Sequence, residues 1–154
     1  MSYPHFFSRV PKLQIIIPLL ASVLLSGFIY LVFRPESLSV LRSSGSSLFW
    51  DIVETILIVL VASAPLFYGW ITRRPYESAV FGMFLTTFLY VPGFIDVVHY
   101  LGIKEVLLGL GRYVPSVLCS VGAGYLAARG SLRELIIGAL FVVLWLFILI
   151  SGLN

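Results

Sequence analysis

The chain has 154 residues, of which 60% are hydrophobic and 11% charged, and its mean hydropathy is +1.06. So few charges cannot cover a water-soluble globule of ordinary make-up, which argues against a soluble enzyme or binding domain and makes the bilayer the expected solvent. The net charge of +3 does not point to nucleic acid, because the ten Lys and Arg are scattered in ones and twos, a pattern that membrane topology explains better.

The single cysteine, Cys119, excludes an internal disulfide framework and any Cys-based metal site within one chain. Asn and Gln occur once each, at Asn154 and Gln14. Such scarcity suits a thermophile, and it equally suits a chain with little use for amides in lipid.

After a short polar lead with Arg9 and Lys12, an apolar run from Leu13 to Phe33 is long enough for a bilayer core that needs about 20 helical residues. It exceeds the apolar segment of a signal peptide and has no small-x-small cleavage site, so it reads as a retained span. Pro18 falls in its first turns, where a missing N–H costs least. The serine-rich stretch from Arg34 to Ser47 reads as an exposed connector. A second span is expected over 49–71, with Trp50 at one end and Tyr68 and Trp70 at the other as interfacial aromatics. Pro65 should kink it and deprive the Val61 carbonyl of its donor.

Thr72, Arg73, Arg74 and Pro75 form a tight basic turn before a third span over 79–101, which carries a Pro92-Gly93 break. A fourth span over 106–128 contains Arg112 and Pro115, and a fifth over 135–153 is nearly featureless hydrocarbon with Trp145 at its middle. With a cytoplasmic N-terminus, Arg9, Lys12, Arg73, Arg74, Arg129 and Arg133 fall on the inner side and Arg34, Arg42 and Lys104 on the outer. That bias favours N-in and C-out.

Alternating span directions bring Asp51, Glu54, Asp96, His99 and Arg112 into one outer leaflet. Asp51 with Glu54 and Asp96 with His99 are spaced i,i+3, so each pair shares a helix face. Arg112 heads a series of small residues at intervals of four, Ser116, Ser120, Gly124 and Ala128. Small-xxx-small surfaces let helix backbones approach closely, so these are expected packing positions, and Arg112 is expected to turn the same way, toward Asp96 or Glu54.

Each residue also has a plainer reading. Asp51 with Glu54 fits a capping box of a helix starting at Ile52. His99 suits the end of a span, and Arg112 suits snorkelling to the headgroups. An Asp96–Arg112 pair can serve only to lock two helices.

Two carboxylates and a histidine are metal-compatible, but the sequence lacks HExxH or paired histidines. No metal or other cofactor is expected. No GxSxG elbow and no glycine-rich phosphate loop occurs. Acids and a histidine on the outer side suit proton or cation passage, yet the inner half offers only Ser63, Thr86, Thr87 and similar hydroxyls rather than a continuous relay of ionisable groups.

The expected fold is all-α: one polytopic membrane helical bundle spanning 1–154, with five transmembrane helices and short loops, in the cytoplasmic membrane. The leading functional expectation is a small non-catalytic subunit or partner-binding protein whose partners are the bilayer and other membrane helices, of its own or another chain. The alternative is a transporter or channel for a proton, cation or small solute. A third is a membrane-embedded enzyme using His99 with the carboxylates.

Overall fold

The computed structural model of the chain describes residues 13–32, 47–100 and 103–151, with the backbone but not the side chains described at 13, 14, 30, 32, 47, 48, 50, 92–100, 103–105 and 150. These residues form five helices: α1 Leu13–Val32, α2 Ser47–Thr72, α3 Pro75–Tyr100, α4 Ile103–Arg129 and α5 Leu132–Ser151. Three of them contain stretches long and apolar enough to cross a membrane, Asp51–Thr72, Val106–Arg129 and Leu132–Leu149. The corresponding stretch of α1, Ile15–Ile29, is shorter.

The helix boundaries follow from local chemistry. Pro75 occupies the first position of α3, where its fixed φ suits a helix and its missing N–H is not needed. A proline also disfavours the helical region for the residue before it, so α2 cannot run through Arg74. Arg73 ends α2 instead, with φ of 56° and its N–H donated back to the Gly69 carbonyl at 2.9 Å. This is a left-handed helix terminator built from a residue other than glycine, a conformation costing about 1–2 kcal/mol.

Gly130 does the same after α4 at no steric cost, with φ of 78°. Ser131 then starts α5: its hydroxyl accepts the Glu134 N–H at 3.2 Å and donates to the Glu134 carboxylate at 2.7 Å. The Ser-x-x-Glu spacing is that of a capping box.

The capping box expected at Asp51 and Glu54 does not form. α2 already includes Ser47, so Asp51 lies inside the helix rather than at its N-cap. Its carbonyl accepts the Thr55 hydroxyl at 2.8 Å. The backbone of α3 is helical through Pro92 and Gly93 to Tyr100, so the expected break does not end the helix.

α4 is the central element. It runs antiparallel to α3 and α5, through short turns, and parallel to α2. Ser78 and Gly82 of α3 face Gly124 and Ser120, Pro65 and Gly69 of α2 face Gly124 and Ala128, and Gly138 of α5 faces Ala123 and Ala127. α1 leans on α3, where the Ser22 hydroxyl lies 3.1 Å from the Phe81 carbonyl. The buried cluster joins Ala62, Phe81, Leu85, Cys119, Ala123 and Trp145. Trp145 is its largest side chain and is wholly buried, which explains a tryptophan far from either interfacial belt. Large apolar side chains such as Leu24, Leu140, Val143 and Phe147 point outward. Small residues where the helices meet, with many large apolar side chains facing outward, are the arrangement expected when the surrounding medium is itself apolar.

Candidate functional site

Three backbones meet where α2, α3 and α4 cross. A β-carbon at Gly124 would lie 2.7 Å from the Ser78 carbonyl and 3.2 Å from the Pro65 carbonyl. One at Gly82 would lie 2.7 Å from the Ser120 carbonyl. Glycine is needed at both positions because backbone atoms, which cannot swing aside, occupy that space.

Along this seam runs a file of hydroxyl groups. Ser120 Oγ donates to the Gly82 carbonyl at 2.9 Å. Tyr90 and Ser116 hydroxyls are bonded at 2.8 Å. The Thr87 hydroxyl donates to the Met83 carbonyl at 2.7 Å, so the Tyr113 hydroxyl must be the donor in their 2.9 Å bond. Tyr90 and Tyr113 also meet edge to face, with ring centroids 5.7 Å apart. Nearer the α2–α3 turn, the Thr72 and Ser78 hydroxyl oxygens are 3.3 Å apart.

In the middle of this file the Thr86 hydroxyl is fully buried and has no partner among the described residues. A helical threonine ordinarily donates to the carbonyl four residues back. For Thr86 that carbonyl is Gly82, which already accepts from Ser120 as well as serving its own helix. The indole N–H of Trp145 is likewise buried without a partner among the described residues.

The expected packing residues Ser116, Ser120, Gly124 and Ala128 are all buried, and the helices they meet belong to this same chain. Ser116 meets Tyr90, Ser120 meets Gly82, Gly124 meets Ser78 and Pro65, and Ala128 meets Gly69. The series is therefore filled internally.

Arg112 departs from it: its side chain is exposed, and no carboxylate of the described residues pairs with it. Residues four apart are displaced by about 40° around a helix of 3.6 residues per turn. The line from Ala128 back to Arg112 thus drifts off the face that α3 covers. Asp51 is exposed and Glu54 half-buried on α2. Asp96 and His99 occupy helical backbone positions on α3, but their side chains lie outside the described residues. Among the described residues no group of three or more His, Cys, Asp or Glu is placed to hold a metal.

A polar cluster that sequence reasoning missed lies at the opposite end, around the α2–α3 and α4–α5 turns. Glu77 is buried, and its carboxylate accepts from Arg74 at 2.9 Å. Arg129 reaches Glu134 at 3.2 Å and the Tyr125 hydroxyl at 3.1 Å, and the Tyr125 ring meets Tyr76 edge to face. The Arg73 guanidinium lies against Gly130, in the space a side chain there would need. The two turns are thereby locked together. Two signals in the sequence pointed here: the Ser131-x-x-Glu134 spacing and the i,i+3 pair of Arg74 and Glu77.

Compared with protein-family models, curated proteins and solved structures, the chain gives no match.

Proposed function

We propose that the protein is a multi-pass subunit of the cytoplasmic membrane, with five spans, an inner N-terminus and an outer C-terminus, acting by association rather than by catalysis. Its partners are other membrane helices, from further copies of this chain or from a different one. One observation carries this reading: most of the interior polar groups are spent fastening helices of the same chain to one another, while many large apolar side chains face outward.

Polar side chains in the apolar part of a bundle are costly unless bonded. Here nearly every buried hydroxyl of the seam is bonded within the chain. What the surface offers instead is shape and apolar area, the means by which membrane helices associate. The small residues of α4 are consumed internally, so the partner surface lies on the outward faces. Native mass spectrometry of the protein extracted from its own membrane tests this. An assembly of fixed stoichiometry is expected, and a monomer without a companion contradicts it.

A second reading, passage of a proton, cation or small solute, is favoured by the unpartnered Thr86 hydroxyl lying midway along the file of hydroxyls. It requires flux in liposomes that Thr86→Val and Asp96→Asn reduce. Absence of flux under an imposed gradient removes it. The enzymatic reading depends on His99, for which no side-chain geometry is described, so nothing favours it.

A further inference from the structure

We infer that the end of the bundle where the α2–α3 and α4–α5 turns meet binds the phosphate headgroups of anionic phospholipids, with Arg73 and Arg133 as its principal contacts. The inference rests on the membrane reading, and it is independent of whether the chain assembles with a partner.

Four arginines converge at this end. Arg73 and Arg74 form the first turn, and Arg129 and Arg133 flank the second. The placement of the Arg73 guanidinium against Gly130 brings the two turns together. Two carboxylates answer them: Glu77 takes Arg74 and Glu134 takes Arg129. That leaves a local charge of +2 among the described residues, with Arg73 and Arg133 exposed and bonded to no described carboxylate. The opposite end has the reverse character, with Asp51 and Glu54 against Arg112 among the described side chains.

Charge alone does not choose between a lipid and a dissolved anion. The surroundings do: Ile71, Tyr76 and Leu132 are each more than 70% exposed beside these arginines, and Trp70 is 47% exposed. Aromatic and apolar side chains interleaved with cations mark the headgroup level of a membrane. A guanidinium there presents a planar fork of donors to phosphate oxygens. Juxtamembrane cations near an anionic leaflet each contribute enough to shift binding by about fivefold. Both glutamates are already paired, so neither repels the incoming phosphate strongly.

The test uses the full chain, delipidated in detergent and titrated with phosphatidylglycerol or phosphatidylcholine of matched acyl chains, with bound lipid counted by native mass spectrometry. Phosphatidylglycerol should bind in preference. Arg133→Gln should weaken it about fivefold, and Arg73→Gln with Arg133→Gln should weaken it further. Arg133→Lys should retain most of the binding, and Arg112→Gln at the opposite end should leave it unchanged. Arg133 makes no bond to a described side chain, so the single variant reads binding even if the change at Arg73 unsettles the turn.

Equal binding of the two lipids, or a preference that Arg133→Gln leaves intact, overturns the inference. So does displacement of phosphatidylglycerol by inorganic phosphate at matched ionic strength, which would assign the surface to free anions. Failure of the purified chain to insert into phosphatidylcholine vesicles would remove the membrane reading itself, whereas insertion without lipid preference removes this inference alone.

Discussion

The carbonyl oxygen of Gly124 on α4 lies so close to the α-carbon of Gly69 on α2 that no β-carbon fits between them. Two parallel helices are in backbone contact at this point, and α3 also closes on Gly124 through the Ser78 carbonyl. Neighbouring helices thus converge on one glycine. The rigidity of this junction is what the variants below probe, with reaction of the buried Cys119 thiol on unfolding as a convenient readout.

Gly69→Ala should destabilise the bundle by about 3 kcal/mol or more, because the atoms in the way are backbone and cannot yield. Gly27→Ala and Gly111→Ala are the controls. Nothing lies within 4 Å of a β-carbon at either position, so both should be neutral or stabilising by up to about 1 kcal/mol through better helix propensity. Thermal unfolding in detergent, followed by labelling of Cys119, distinguishes the two classes.

Thr86→Val replaces a buried hydroxyl that has no partner among the described residues with a methyl group of similar size. Removing an unsatisfied polar group without leaving a cavity should stabilise the protein by about 1–2 kcal/mol. A lower unfolding temperature would show that the hydroxyl has an essential partner.

Ser120→Ala removes the interhelical bond to the Gly82 carbonyl but keeps the close approach of α3 and α4. The loss should be modest, about 0.6 kcal/mol, the average for such bonds between membrane helices. Ser120→Val adds bulk beside Gly82, where the Ser120 oxygen is already 2.9 Å from a would-be β-carbon, and should cost several times more. Equal losses in the two variants would contradict a packing role for this position.

Gly130→Ala meets a φ of 78°, whereas the Arg73 guanidinium occupying the side-chain space is the end of a flexible exposed chain and can swing aside. It should destabilise by about 1–2 kcal/mol, the cost of a left-handed alanine. Ser131→Ala, which removes the α5 cap, should cost about 1 kcal/mol. Amide exchange in the first turn of α5 should rise in the second variant before global unfolding does.

Most of the architecture could be read from hydrophobic run length and from proline and glycine placement. The first expected helix, 13–33, is found as Leu13–Val32, and the others begin a few residues earlier than expected. Ser131 with Glu134 and Pro75 are start signals that set two of these earlier starts, while the run-length criterion saw only hydrocarbon. The series Ser116, Ser120, Gly124 and Ala128 stood out in the sequence, but its neighbour did not. Spacing shows that a face is small, and only the packed chain shows that α2 and α3 of the same molecule cover it.

A four-residue period spirals on a helix, so the line through Ser116, Ser120, Gly124 and Ala128 arrives at an exposed position at Arg112. The buried Glu77 was not legible in the sequence. It lies two residues after a proline in a basic stretch, where an acid looks like an ordinary solvated residue, and only the packed chain shows that it is buried.

The association proposed for this chain is tested most directly inside its native membrane. A photo-crosslinking residue placed singly at outward positions Leu24, Leu140, Val143 and Phe147, with irradiation before extraction, reads what touches each face. One or more of these positions should give a protein adduct of a single discrete mass, with the remaining positions yielding lipid adducts. Lipid adducts alone at every position would contradict the proposal.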